Sequence, residues 1–253
     1  MRIVVKVGTS TLSENGALHV ERMARLAAFL ALACAEHEVL VVTSGAVAAG
    51  HTVMPQLSNK KTPERQALAA IGQALLMNIY SKLFEPYSIR VAQILITKDD
   101  FVNLSHSENV KIAVNTLLKH KILPIFNEND TVVIDELLRG DNDQLSAKVA
   151  HYLDADLLII LSDIDGYYDK NPKNNPDAAP LKVVRGRLDT ALLSEVPTPN
   201  GDFATGGIVT KLKAADFLVS RGRKMFLASG FDLTHARDFL KTGASEKGTL
   251  FCP

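Results

Sequence analysis

The chain holds 253 residues, 47% of them apolar, with 28 acidic and 28 basic side chains that cancel to a formal net charge of zero. That length and apolar content suit one large α/β unit, and basic residues scattered without a stripe exclude the electrostatic footprint of a nucleic-acid binder. Two cysteines, Cys34 and Cys252, and seven histidines with no pair spaced two to four residues apart give neither a disulfide framework nor a histidine metal site, which points to a reducing cytoplasm.

Ile3-Val4-Val5-Lys6-Val7 is a β-branched run stopped by Gly8-Thr9-Ser10-Thr11, and it reads as a central strand that leaves no room for a signal peptide. From Glu21 to His37 the apolar residues Met23, Leu26, Ala27, Leu30 and Cys34 recur at helical spacing. The longest apolar stretch, Leu26 to Ala35, is about half a membrane span, so no membrane is expected. Val39 to Val42 closes a βαβ unit. Thr62-Pro63-Glu64 carries helix-start signals for a helix whose buried face is predicted at Leu68, Ile71, Leu75, Ile79 and Leu83. A strand over Val91 to Ile96 follows. Ser105-His106-Ser107-Glu108 has capping-box spacing before a helix through Val110, Val114 and Leu117, which returns to a strand over Ile122 to Phe126.

Val132-Val133-Ile134 reads as a small excursion, Gln144 to Leu153 as a helix and Leu157 to Leu161 as a fully apolar strand. Gly166 to Pro180 is rich in asparagine and proline and reads as a loop. A short strand near Lys182 to Val184, a helix from about Gly206 to Ser220, a strand over Met225 to Ala228, a helix near Thr234 to Leu240 and a strand over Thr249 to Phe251 complete the series. This alternation predicts one α/β domain: an open, mainly parallel sheet between helices, an α/β/α sandwich of three layers.

Six carboxylates and three asparagines gather around one arginine between Asn127 and Asp143, directly behind an apolar strand. Loops that leave the carboxyl ends of parallel strands are where such sheets hold ligands, although a solvated acidic hairpin has the same composition. Neither the P-loop pattern nor G-x-G-x-x-G occurs. Instead Gly8, Gly45 and Gly206-Gly207 each stand where a strand or loop should meet a helix, positions that let a backbone approach an anion or serve as plain turns. Lys6 lies inside an apolar strand, where an unpaired ammonium is costly unless the strand is an edge. Together with Lys211 and the acids of Asp141 to Asp143 it forms a set suited to phosphoryl transfer.

Lys6-Val7-Gly8-Thr9-Ser10, Val42 to Gly50, Asn127-Glu128-Asn129-Asp130, Gly140-Asp141-Asn142-Asp143 and Thr205 to Lys211 resemble, in order and spacing, the motifs of the amino-acid kinase family, in its glutamate-phosphorylating branch. The resemblance covers essentially the whole chain, and the opening Gly-Thr-Ser, where acetylglutamate kinases carry Gly-Gly, selects the branch. It implies ATP-dependent phosphorylation of the γ-carboxylate of L-glutamate to L-glutamyl 5-phosphate, the first step of proline biosynthesis, with ATP and Mg²⁺ as cofactors.

By the same resemblance Lys6 and Lys211 are catalytic cations and Asp143 the aspartate that holds both. Ser44, Asp130, Asn142 and, more weakly, Asn127 bind the substrate. Lys6, Gly8, Ser162, Asp163 and Thr205-Gly206-Gly207-Ile208-Val209-Thr210-Lys211 line the nucleotide site. No protein-held metal site is expected. The N-terminal part is expected to bind glutamate and the C-terminal part ATP. The extra C-terminal domain of many bacterial relatives is expected to be lacking, since the chain stops at Pro253. A glutamyl-phosphate reductase is the implied pathway partner and a homo-oligomer the implied assembly. Ala204, Ile208 and Ser162 depart from the glycine, methionine and threonine common in relatives. The alternatives are a relative with another acceptor, such as carbamate, a nucleoside monophosphate or isopentenyl phosphate, and a non-catalytic amino-acid sensor.

Overall fold

The structure is a computed structural model that describes residues 1–97, 99–132, 142–170, 175–189, 193 and 207–253. Its centre is an eight-stranded sheet in the order β10-β12-β11-β7-β1-β4-β6-β5. The strands are β1 (Arg2–Val7), β4 (Glu38–Val42), β5 (Arg90–Ile96), β6 (Ile122–Glu128), β7 (Leu157–Ser162), β10 (Val183–Arg185), β11 (Lys224–Ser229) and β12 (Thr249–Cys252). All neighbours run parallel except β11 and β12. The mainly parallel sheet read from the sequence is therefore present.

Two short hairpins stand apart from the sheet: β2 (Ser13–Glu14) with β3 (Ala17–Leu18), and β8 (Tyr167–Tyr168) with β9 (Pro180–Leu181). The second hairpin falls at the two ends of the stretch read as plain loop. Of the excursion expected at Val132-Val133-Ile134, only Val132 lies within the described residues.

Helices cover both faces, which is why the central strands read as unbroken apolar runs. Alternation along β1 sends Ile3, Val5 and Val7 into one core, with α2 (Val20–Glu36), α4 (Thr62–Phe84) and α8 (Thr234–Thr242). Val4 enters the other core, with α5 (Leu104–Lys119), α6 (Asn142–Tyr152) and α7 (Ile208–Val219). Two further helices are short: α1 (Thr9–Leu12) behind β1, and α3 (Ala46–Val53) behind β4. The α3 start needs Gly45 because φ there is +99°, a region costly for any residue with a Cβ.

Two expectations are corrected. The buried stripe of α4 is Leu68, Gly72, Leu76, Tyr80 and Phe84, while Ile71 is 37% exposed and Leu75, Ile79 and Leu83 are only partly buried. The cause is close helix packing: a Cβ on Gly72 would fall inside the carbonyl of Ala46, and one on Gly50 inside that of Leu68. Backbone contact between α3 and α4 thus sets the rotation of α4, ahead of its bulkier side chains. By length and composition alone α4 could cross a membrane. Here its buried stripe packs against α3 and the core.

The second correction concerns α5, whose cap is Asn103 rather than Ser105. The Asn103 side chain accepts from Ser105 N and His106 N at 3.0 and 3.2 Å, which places both serines inside the helix.

Candidate active site

The chain crosses from β1 to β4 on one side and later returns to β7 on the other, so the strand order reverses at β1. In open α/β sheets the crevice outside the carboxyl ends at such a reversal is the ligand site. Register brings the end of β1 beside its neighbours: Lys6 is level with Val42 and Ile160. Thr43, Asn127, Glu128 and Ser162, all buried and polar, gather at the same end of the sheet.

Lys6 is 6% exposed on a central strand, which removes the edge-strand alternative. Its Nζ lies 2.6 Å from Asp143 Oδ1, and Lys211 Nζ lies 3.1 Å from Asp143 Oδ2. Thr210 Oγ1 donates to Asp143 Oδ2 at 2.7 Å and sits 2.9 Å from the carbonyl of Gly207. One carboxylate from the first turn of α6 thus joins β1 to the first turn of α7, although residues 6, 143 and 211 are far apart in sequence. Burial disfavours the charge on Asp143, but Lys211 and Lys6, with the hydrogen bond from Thr210, hold its carboxyl well below the usual range. Two ammonium groups against one carboxylate leave a formal surplus of one positive charge. An anion placed there is met by cations already desolvated and fixed in place.

Asn142, the residue before Asp143, faces the end of β4. Its Nδ2 reaches the carbonyl of Thr43 at 2.8 Å, Ser44 Oγ at 3.1 Å and Asn127 Oδ1 at 3.0 Å. The backbone N–H of Glu128 also donates to Asn127 Oδ1 at 3.0 Å, so both asparagine amides are oriented by backbone groups whose roles are fixed. Asn127 Nδ2 then donates to Gln73 Oε1 at 2.9 Å, and Gln73 Nε2 to Gln93 Oε1 at 3.0 Å. Beneath this chain Thr43 Oγ1 and Tyr80 Oη lie 2.8 Å apart. Burial pushes the Tyr80 hydroxyl up to about 12, against the opposing bond from Thr43, so it remains neutral.

The structure therefore brings Lys6, Lys211 and Asp143 together as one set and Ser44, Asn127 and Asn142 as an adjoining one. Gly8 also fits, since a methyl group on it would stand 3.7 Å from Lys6 Nζ. Its N–H donates to Leu161 O at 3.2 Å, tying the β1 turn to β7. Ser162 Oγ donates to Asp163 Oδ1 at 2.9 Å at the end of β7. Gly207 precedes the first turn of α7 with no side-chain cap. In that turn Ile208 is half-buried and the Val209 side chain lies in the core. Asp130 sits in the loop after β6, beside Arg65 of α4. Thr205 and Gly206 lie outside the described residues, as do Ala204, Gly140 and Asp141.

Sequence reasoning passed over Thr43, Gln73 and Tyr80 and gave Thr210 no part in holding Asp143. Gln73 did leave a signal, being the only polar residue between Leu68 and Met77.

The sequence profile of the amino acid kinase family matches residues 1–229. The chain is 52% identical over 255 residues to a glutamate 5-kinase of Wolinella succinogenes, covering 99% of this chain and 97% of that one. It is 48% identical over 250 residues to a glutamate 5-kinase of Leishmania donovani, covering 99% and 94%. Among solved structures it resembles a UMP kinase from Ureaplasma parvum with a TM-score of 0.67 at 15% identity, covering 100% of this chain and 98% of that one. A carbamate kinase from Giardia lamblia bound to AMP-PNP follows at 0.65 and 14%, with 97% of each chain covered. At such identities these structures speak for the fold alone.

Proposed function

The chain belongs to the amino acid kinase family, and from that premise we propose that it transfers the γ-phosphoryl group of ATP to the γ-carboxylate of L-glutamate, forming L-glutamyl 5-phosphate and ADP. This is the first step of proline biosynthesis. The observation that carries the reading is the buried bridge Lys6–Asp143–Lys211 at the carboxyl ends of the sheet.

The γ-carboxylate, with an ordinary pKa near ~4.3, is ionised at neutral pH, so its oxygen attacks the γ-phosphorus without a general base. A carboxylate oxygen–phosphorus bond forms while the bond from the γ-phosphorus to the bridging oxygen breaks, and ADP leaves with the electron pair. Both reactants are anions, so the residues' main task is to cancel charge. Lys6 and Lys211 supply it, and Asp143 keeps both ammonium groups from swinging into water or repelling each other. Losing one such stabilising group typically costs about 10²–10³ in rate.

Ser44, Asn127 and Asn142 offer neutral hydrogen-bonding groups on the acceptor side, which suit a carboxylic acid better than a phosphorylated acceptor in need of cations. Asp130 is assigned to the α-ammonium of glutamate. Gly8, Ser162, Asp163 and the segment from Thr205 to Lys211 are assigned to ATP, so the N-terminal half takes the amino acid and the C-terminal half the nucleotide. The donor set fits a Mg²⁺ ion borne by the nucleotide: Asp143 is already bonded to two ammonium groups, and phosphate oxygens with water are the usual ligands of this ion. When bound, the ion would neutralise phosphate charge.

A cytoplasmic homo-oligomer feeding a glutamyl-phosphate reductase completes the proposal, because an acyl phosphate is labile and must be consumed at once. Coupled ADP release with glutamate, aspartate, acetylglutamate, carbamate and UMP as acceptors tests it. Glutamate should give the highest kcat/KM by a wide margin. A preference for carbamate or UMP, or no turnover with any acceptor, would overturn the reading.

A further inference from the structure

The loop after β6 runs alongside α4. Asn127 is bonded to Gln73, and four residues later the carbonyl of Thr131 accepts from Gln66 Nε2 at 3.2 Å. Gln66 and Gln73 are seven residues apart on one helix, about 10 Å along its axis. At the Gln73 end lie Asn127, Asn142 and Ser44, next to Asp143 and Lys6. At the other end stand Asp130 and Arg65, where the electrostatic influence of Asp130 favours the guanidinium charge that burial disfavours.

Arg65 is half-buried, and its Nε is shielded from solvent with no hydrogen-bond partner among the described residues. Its guanidinium donates from Nη1 to the carbonyl of Asn59 at a long 3.4 Å. Buried polar groups are nearly always bonded, so a guanidinium left in this condition beside Asp130 has a donor to offer a ligand. With the reacting carboxylate of a five-carbon dicarboxylate assigned to the Ser44 end of the loop, its α-carbon is assigned to the Asp130 end. Asp130 on its own would repel the α-carboxylate there.

We propose that Arg65 binds the α-carboxylate of the acceptor amino acid, beside Asp130 on the α-ammonium, so that the pair reads the zwitterion and selects α-amino acids. The inference rests on the glutamate reading above. The planar fork of arginine matches a carboxylate, and Nε is one of the donors that such an interaction uses.

The test compares L-glutamate with L-isoglutamine, in which an amide replaces the α-carboxylate. KM is measured for glutamate and ATP, and Ki for isoglutamine against glutamate, in the wild type, Arg65→Met and Arg65→Lys. The wild type should hold isoglutamine at least tenfold more weakly than glutamate. Arg65→Met should raise the glutamate KM tenfold to a hundredfold, the contribution of a hydrogen bond between charged groups. It should leave the ATP KM and the isoglutamine Ki within twofold, and Arg65→Lys should fall between. Equal weakening of both ligands would make Arg65 a mere prop for the loop, and a glutamate KM within threefold of wild type would remove it altogether; either result overturns the proposal. Should Arg65→Met fail to fold, Arg65→Lys and the wild-type pair of ligands decide. A wild type that does not phosphorylate glutamate at all is a different outcome, which fells the functional reading first.

Discussion

Asp143→Asn is the sharpest perturbation the site allows, because it keeps the shape and removes the charge between two ammonium groups. Asp143 is 1% exposed, with Lys6 at 2.6 Å and Lys211 at 3.1 Å. Without it the formal charge of the cluster rises from one positive to two, in a place where water screens little. Breaking a buried pair by removing one partner costs about 3–5 kcal/mol. A domain with a stability of roughly 5–15 kcal/mol survives that loss, marginally at the lower end. The same change releases both cations to which the proposed function assigns the transferring phosphoryl group. If one misplaced cation costs about 10²–10³ in rate, two that share an anchor should cost at least the upper figure, though not the product, since residues acting as a unit are not additive. Urea unfolding and single-turnover ADP formation read the two effects separately. The triple variant Lys6→Met, Asp143→Asn, Lys211→Met should regain most of the lost stability, since it leaves no unpaired buried charge, yet remain inactive. An Asp143→Asn protein with kcat within tenfold of wild type, or with unchanged stability, would refute the electrostatic argument.

Gln73→Met removes the acceptor for Asn127 Nδ2 while keeping the volume. It should raise the glutamate KM about tenfold, as expected when a buried donor is orphaned, with the ATP KM unchanged; steady-state kinetics in both substrates checks this. Gly72→Ala drives a Cβ into the Ala46 carbonyl and should destabilise by about 1–3 kcal/mol or more, read as a fall in the urea midpoint. Because the folded pKa of Asp143 is depressed, its stabilising contribution is full above the unfolded value near ~3.9 and is lost only as pH falls through the folded value. Urea midpoints of wild type and Asp143→Asn should therefore differ by a constant amount from pH 5 to pH 7 and converge only in stronger acid.

How much of this was legible in the sequence depends on what kind of constraint each residue obeys. The sheet was readable because parallel strands buried on both faces are continuous apolar runs, and Lys6 stood out as the one charge inside such a run. Lys211 and Asp143 carried no comparable local mark, since each sits in a helix where a charged residue is ordinary. Their chemistry alone joined them to Lys6 as a set suited to phosphoryl transfer, resemblance to known motifs gave each its expected role, and only the fold shows the reason, a topological reversal at β1 that brings the first turns of α6 and α7 to one strand end.

The errors share a different origin. Helical periodicity placed Ile71 in the core because it counts bulky side chains, yet α4 turns on Gly72, which with Gly50 of α3 lets two backbones touch and brings Leu76 and Tyr80 inward. That rotation also reaches the candidate site. It points Gln73 at Asn127 and Tyr80 at Thr43, so the amides proposed to face the acceptor take their orientation from a helix that the sequence presents as an apolar rod. Residues that touch the reactants are marked by their chemistry. Those that orient them are marked by packing between segments distant in the chain, and Gln73 was visible only as one polar letter in an apolar stretch whose partner lies 54 residues away.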